Sequence, residues 1–360
     1  MQALILAGGE GTRLRPLTSS VPKAVVPLVD RPFIAFMLEW LGSHGVDDVI
    51  MSCGFLAPGV RAVLGDGERY AMRIRYVEEP RPLGTGGALK LAEELLDERF
   101  LMLNGDVLTD IDLSAQFAQH ERTGAAGTLA LVPVANPSAY GLVRTDADGR
   151  VSEFLEKPSA DATLDVNTIS AGAYVLARSV LELLQPDTRA SIERDVFPRL
   201  VGNGLHARVS DGYWLDIGTP ERYLKGTFDI LDGVVTTRVR PGVAADVHGA
   251  ERVVEPAVVE AGCRIAEDAR VGGRAVLGRD VAVGAGSIVE RAVLLEGARI
   301  GAHCVVRDCV VGPGAHVGDD SRVEGLAMLG EAVSIGAGNV VTNGARVFGG
   351  VHLPDRALAF

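Results

Sequence analysis

The chain has 360 residues, a formal net charge of −12, and a composition that is 47% hydrophobic but only 5% aromatic. That length supplies ample core for two or three domains. The acidic balance leaves nothing global to attract nucleic acid or an anionic membrane, so an anionic ligand needs a local cationic site.

The first apolar run, Ala3-Leu4-Ile5-Leu6-Ala7, suits a strand buried on both faces of a parallel sheet. It empties into Gly8-Gly9-Glu10-Gly11-Thr12-Arg13-Leu14-Arg15-Pro16, and Pro22-Lys23-Ala24 follows. Glycines there let backbone N–H groups approach phosphate oxygens, and Arg13, Arg15 and Lys23 neutralise the charge. Run, loop and cations together describe a polyphosphate cradle. The competing readings are a plain strand-to-helix turn and a dinucleotide fingerprint. The fingerprint needs glycine where Leu14 stands, and no Gly-Lys-Ser/Thr closes the loop as a Walker A motif would require.

A helix is expected from Asp30-Arg31-Pro32, with Asp30 as cap and Phe33, Phe36, Met37, Trp40 and Leu41 on one face. The strand Asp48–Ser52 follows. Strand and helix patterns then alternate, which predicts a βαβ-built, mostly parallel sheet with ligands at the carboxyl ends of its strands. The strand Ile74–Val77 leads to Glu78-Glu79-Pro80 and Leu83-Gly84-Thr85-Gly86-Gly87, ahead of a helix expected over Leu89–Leu96. Glycines around Thr85 suit either a flat group such as a nucleobase or a second plain turn. Another apolar strand ends in Asn104-Gly105-Asp106, and beside a polyphosphate site Asp106 is a candidate Mg²⁺ ligand.

Residues 127–134 form a further strand, and Tyr140–Val143 with Val151–Phe154 read as a hairpin around Asp146-Ala147-Asp148-Gly149. Glu156-Lys157-Pro158 comes next, a paired acid and base held by a proline. Such a pair is either solvated surface or, near a phosphate site, a second phosphate contact through Lys157, with Glu156 and Asn167 bonding sugar hydroxyls. Asp216 stands in the apolar strand after Tyr213 and needs a partner or a metal.

From about Val253 aliphatic residues recur every six positions, at Ile265, Val271, Leu277, Val283, Val289 and Leu295, then from Val311 to Val347 two residues out of phase. This is a hexapeptide solenoid of about five coils. The expected division is a catalytic domain over 1–233, a linker over 234–250, a β-helix over 251–353 and a tail over 354–360. The four cysteines (Cys53, Cys263, Cys304, Cys309) form no Cys-x-x-Cys pair, as expected for buried free thiols in a reducing compartment. No apolar stretch suits a signal peptide or a bilayer span, so a cytoplasmic location is expected.

Taken together, these residues resemble the sugar-nucleotide pyrophosphorylases, which join a nucleoside triphosphate to a sugar 1-phosphate. The resemblance runs over essentially the whole chain. It is carried by Gly8-Gly9-x-Gly11-Thr12-Arg13-Leu14-Arg15-Pro16 with Pro22-Lys23, while Glu78-Glu79-Pro80, Leu83–Gly87 and Ser191–Pro198 resemble the guanylyltransferase branch. It implies a Rossmann-like α/β domain followed by a left-handed parallel β-helix. Arg13 and Lys23 would face the triphosphate and the attacking phosphate. Leu6, Ala7, Gly8, Gly9, Gly11, Thr12, Glu78, Gly84, Thr85, Gly86, Gly87, Asn104 and Gly105 would bind the nucleotide, and Asp106 and Asp216 would hold Mg²⁺. Tyr140, Gly141, Glu156, Asn167 and Gly172 would face the sugar, with Lys157 on its phosphate.

GTP and mannose 1-phosphate are the favoured pair. Thymidylyl or uridylyl transfer to glucose 1-phosphate, or a non-catalytic subunit sensing sugar nucleotides, are the alternatives. A homo-oligomer joined through the β-helix is expected. An acyltransferase role for His303 and His316 is disfavoured, because the solenoid is short and lacks an insertion loop for a donor.

Overall fold

A computed structural model of the protein describes residues 1–157 and 166–358. Pro158, expected to hold the Glu156–Lys157 pair, and the last two residues of the expected tail lie outside them. Two compact units emerge, one formed by Met1–Glu10 and Ile34–Trp214, the other by Gly11–Phe33 and Leu215–Phe360.

The first unit is built on a nine-stranded sheet. Its strands are β1 (Gln2–Leu6), β2 (Asp48–Cys53), β3 (Arg73–Glu78), β4 (Arg99–Asn104), β5 (Gly127–Pro133), β6 (Gly141–Thr145), β7 (Val151–Glu156), β8 (Thr168–Ala177) and β9 (Leu205–Val209). The order is β7-β6-β8-β4-β1-β2-β3, with β5 paired to β8 and β9. Strands β4, β1, β2 and β3 run parallel, so Leu6, Cys53, Glu78 and Asn104 end on one edge. Strand β1 lies between two parallel neighbours, which is why Ala3, Leu4 and Ile5 are fully buried. Strand β8 then joins β4 antiparallel.

Two helices start elsewhere than expected. The first spans Phe33–Ser43, because Arg31–Pro32 pair as a short strand with Pro27–Leu28. Asp30 does not cap it but forms an ion pair with Arg31 at 2.8 Å. The second spans Gly84–Leu91 rather than Leu89–Leu96, and a 3₁₀ turn, Glu93–Leu95, follows. The glycines are therefore the helix's first turn. They permit a close approach by the 188–190 segment: the N–H groups of Gly86 and Gly87 donate to the Ala190 carbonyl at 2.9 and 3.3 Å, and a Cβ on Gly87 would lie 2.6 Å from the Thr188 oxygen.

His120, on the helix Leu113–Thr123, is buried with Nδ1 3.0 Å from Thr128 Oγ1. Burial, followed by the Arg99 charge, pushes its pKa from 6.5 down to about 4. Between those values the unfolded chain binds a proton that the folded chain refuses, so stability falls as pH drops through that window. Roughly 2–3 kcal/mol is expected to be lost between pH 7 and pH 4.5 from this group. Urea melts at the two pH values check it. His120→Gln should be markedly less acid-sensitive, and a variant as acid-sensitive as the parent would refute the assignment.

The second unit is dominated by a parallel β-helix. Its rungs stack in register as ladders: Val253, Val271, Val289, Val306, Val323 and Val341 form one, and Ile265, Val283, Ile300, Val317, Ile335 and Leu353 another. Most coils advance by 18 residues, as Asn339 on Ser321 does, but two advance by 17, the Arg291-to-Asp308 step among them. These two shortened coils produce the two-residue slip in the sequence. They also correct one rung: Leu277 pairs with Leu294, not with the expected Leu295, and Leu294 pairs with Val311. Both missing residues fall where single strands, Ile288–Leu294 and Val305–Val311, run through a corner. Arg291 and Asp308 there adopt positive φ and form an ion pair.

The β-helix also exceeds its expected bounds. Gly242–Val243 already pair with Val258–Val259, and His248 bridges to Arg264, so much of the stretch expected as a linker is a partial coil. At the other end the Arg356 N–H donates to Ala337 and the Leu358 carbonyl accepts from Val340, so the described part of the tail completes a turn. Cys263, Cys304 and Cys309 are free and buried inside the coils, and Cys53 is buried in the first unit. Burial pushes the Cys263 thiol up to about 11 and Cys53 to about 12, leaving both inert. No helix of the described residues is long and apolar enough to cross a membrane.

Candidate active site

In the first unit the parallel edge gathers several of the expected residues. The Gly105 N–H donates to the Leu6 carbonyl at 2.9 Å. A Cβ on Gly105 would lie 2.6 Å from that oxygen, so only glycine lets Asp106 follow β4 this closely beside β1. Gly172 has φ +72°, and a Cβ there would lie 2.7 Å from Asn104 Nδ2. Leu6, Asn104, Gly105 and Gly172 are thus one cluster.

At the head of the loop, a Cβ on Gly8 would lie 2.8 Å from Glu79 Oε1, whereas Gly9 has open space around it. Glu79 accepts from Ser52 Oγ and from the Leu83 N–H, each at 3.2 Å. Glu78, the expected nucleotide contact, pairs with Arg61 at 3.2 Å and is exposed. Adjacent side chains alternate at a strand end, so of Glu78-Glu79 the second borders Gly8.

Thr85 is the polar member of the glycine-rich turn. Its Oγ1 donates to Glu193 Oε2 at 2.7 Å and accepts from the Ile192 N–H at 2.9 Å, while Ser191 Oγ also donates to Glu193 Oε2. Sequence reasoning used the 191–198 segment only as a branch marker and missed Glu193. The signal was a carboxylate two residues past a helix-capping serine.

The hairpin brings Tyr140, Gly141, Glu156 and Lys157 together. Gly141 faces Glu156 in register, and a Cβ there would lie 2.9 Å from Glu156 Oε2. Lys157 Nζ is 3.7 Å from Glu156 Oε1. Burial, followed by the Glu193 charge, raises the Glu156 pKa above the usual carboxylate value. Tyr140 sits edge-on to Trp214 at 5.2 Å, and Trp214 Nε1 donates to the Ala171 carbonyl next to Gly172. The Asn167 carbonyl accepts from Val134 just ahead of β8.

In the second unit Gly11 has φ +62°, and a Cβ there would lie 3.0 Å from both Lys23 Cβ and Thr18 Cγ2. Thr18 Oγ1 donates to the Gly11 carbonyl at 2.7 Å. The 3₁₀ turn Thr12–Leu14 follows, and Lys23 opens another, Lys23–Val25. Arg13 and Asp216 converge on Gly218, where a Cβ would lie 2.7 Å from Asp216 Oδ1 and 2.8 Å from Arg13 Nη2. Asp216 Oδ2 accepts from Arg222 Nη1 at 2.7 Å. Thr219 caps the helix Pro220–Leu231 that carries Arg222. Gly218 was not singled out from sequence.

Among the described residues no three or more His, Cys, Asp or Glu side chains cluster to hold a metal. Asp106 and Asp216 offer hard oxygen donors only. Those donors suit Mg²⁺, which binds one or two carboxylates and fills its shell with phosphate oxygens and water.

The chain is also similar to known proteins. Residues 2–233 match the family described as Nucleotidyl transferase, and residues 253–353 match the GMPPB C-terminal domain. The mannose-1-phosphate guanylyltransferase of Mycobacterium tuberculosis is 36% identical over 310 residues, 85% of this chain and 83% of the relative. Mannose-1-phosphate guanylyltransferase 1 of Arabidopsis thaliana is 35% identical over 371 residues, 99% of this chain and 97% of the relative. Among solved structures, HddC from Yersinia pseudotuberculosis is 29% identical with a TM-score of 0.54, covering 62% of this chain and 96% of that one. A putative glucose-1-phosphate thymidylyltransferase from Bacillus anthracis shares the fold, with a TM-score of 0.60 at 22% identity over 66% of this chain and 98% of that one.

Proposed function

The chain belongs to the nucleotidyl transferase family, and on that footing we propose that it transfers the guanylyl group of GTP to mannose 1-phosphate. A phosphate oxygen of the sugar attacks the α-phosphorus in line. The new P–O bond forms as the bond to the β-phosphate bridging oxygen breaks, giving GDP-mannose and pyrophosphate. The attacking phosphate is already ionised, so the task is to neutralise and align two polyanions rather than to move a proton. The observation that carries the reading is the match to relatives named mannose-1-phosphate guanylyltransferase, in one case over 97% of the relative's length.

Arg13 and Lys23 counter the triphosphate and the incoming phosphate, with Arg suited to bidentate contact. Backbone N–H groups of the Gly8–Gly11 loop cradle phosphate oxygens. Leu6, Ala7, Thr12, Glu78, Asn104, Gly105 and the Gly84–Gly87 turn hold the nucleotide, with Thr85 fixed by Glu193 as the polar contact nearest the base. Tyr140, Gly141, Glu156, Asn167 and Gly172 bind the sugar, and Lys157 binds its phosphate. Asp106 and Asp216 hold Mg²⁺, which when bound neutralises phosphate charge and orients the reacting groups. Catalysis resides in residues 1–233, and the protein works in the cytoplasm as a homo-oligomer joined through the β-helix.

The test is pyrophosphate release with Mg²⁺, crossing GTP, UTP, dTTP, ATP and CTP with mannose 1-phosphate and glucose 1-phosphate. GTP with mannose 1-phosphate is expected to lead by at least about tenfold in kcat/KM, the discrimination that one or two specific contacts supply. Preference for dTTP or UTP with glucose 1-phosphate would overturn the base and sugar. No release with any pair would favour a sensing subunit.

A further inference from the structure

We infer that Arg346, on the β-helix, is a positioning residue for the loop that carries Arg13. Its kinetic consequence rests on the transferase reading above. Arg346 lies on the short strand Arg346–Val347, and its Nη1 donates to the backbone carbonyls of Arg13 and, at 2.8 Å, of Arg15. These two carbonyls flank the end of the 3₁₀ turn Thr12–Leu14. Carbonyls at a helix end lack intrahelical partners and carry partial negative charge, so a guanidinium both bonds them and suits their dipole.

Two neighbouring contacts bind the same loop to the same coils. Ser20 Oγ donates to Glu331 Oε2 at 3.3 Å. Gly330 packs so tightly on Pro16 that a Cβ there would lie 3.1 Å from Pro16 Cβ. The Glu221 carboxyl, held low chiefly by Thr219, feels the Arg346 charge as well. Glu221 and Thr219 begin the helix that follows Asp216 and Gly218.

Besides Arg346, the loop is held by Thr18 Oγ1 on the Gly11 carbonyl. Its regular bonds are the single-turn contacts of the Leu14, Arg15, Leu17 and Ser19 amides. Arg13 therefore has its backbone pinned by Arg346 while its guanidinium reaches the Gly218 turn beside Asp216. Freeing the backbone by a fraction of an ångström displaces the charged end, and misplacement of about 1 Å costs on the order of a hundredfold in rate. The β-helix thus acts on the phosphate-binding loop, beyond any part it has in assembly.

The full-length chain tests this with Arg346→Met, Arg346→Lys, Arg13→Met and the double variant. Arg346→Met is expected to lower kcat by about ten- to a hundredfold with KM for the sugar phosphate little changed. Arg346→Lys, which still donates to one carbonyl, should recover part of the loss. Because Arg346 acts through Arg13, the double variant should be scarcely slower than Arg13→Met alone. Arg322→Met, a control on the same β-helix whose partner is Glu324, should leave the rate unchanged. In hydrogen exchange, the Leu14, Leu17 and Ser19 amides should exchange faster in Arg346→Met than in the parent.

Losses that multiply in the double variant would overturn the inference. So would Arg346→Met with parental turnover and parental exchange at these amides. If the parent turns over no triphosphate–sugar pair, the transferase reading fails, and the exchange measurement still decides this one.

Discussion

Asp106→Ala is expected to lower GDP-mannose formation by about a thousandfold, the size of effect seen when one group stabilising transition-state charge is removed from a closed site. Asp106 follows β4 at the edge where the parallel strands end, and it is held there by the contact of Gly105 with the Leu6 carbonyl. Its side chain is half-buried. Asparagine matches aspartate in size, so Asp106→Asn should melt within a few degrees of the parent while losing nearly as much rate as the alanine variant. Asp106→Glu keeps the charge but moves it by a methylene and should fall between the parent and these two variants. The check is pyrophosphate release across a Mg²⁺ titration, with melting followed in parallel. An Asp106→Asn enzyme within about tenfold of the parent at saturating Mg²⁺ would remove Asp106 from the proposed metal pair.

The second large effect separates two glycines that look alike in sequence. At Gly218 an added Cβ meets only the far ends of two flexible side chains, Arg13 Nη2 and Asp216 Oδ1. Neither atom is backbone, so the elements around the turn can stay in place, but those are the groups proposed to hold phosphate and metal. Gly218→Ala should therefore melt within a few degrees of the parent and lose about a hundredfold in kcat. At Gly105 the added Cβ meets the Leu6 carbonyl, which is backbone inside the sheet. Nothing there can swing aside, so Gly105→Ala should lose about 2 kcal/mol or more of stability as well as activity. Thermal melts and steady-state rates on the two purified variants distinguish these outcomes. A Gly218→Ala protein that is destabilised yet fully active would reverse the assignment.

Much of this architecture could be read from local pattern alone. Five apolar residues ahead of a glycine pair sufficed to place β1 in the middle of a parallel sheet, because only a strand covered on both faces tolerates such a run. The six-residue period announced the β-helix, since each coil needs an inward aliphatic at the same point of every turn. Even the phase slip between Val289 and Val311 was visible, although its cause, two coils each one residue short within Ile288–Leu294 and Val305–Val311, needed the pairing register.

The sequence by itself determined the residue types: a glycine-rich loop with Arg13 and Lys23, carboxylates at two strand ends, and an inward aliphatic for every rung. These follow from short-range rules of period, propensity and charge. The tertiary structure alone decided which members of each set meet. It chose Glu79 over Glu78 beside Gly8, since neighbouring side chains at a strand end point apart. It gave Gly86 and Gly87 to the carbonyl of Ala190, about a hundred positions away in the chain. It also set Arg346 on the carbonyls of Arg13 and Arg15, a bond spanning 333 positions. No local pattern encodes such a meeting, because it depends on where the coils of the β-helix bring Arg346 once the chain between has folded.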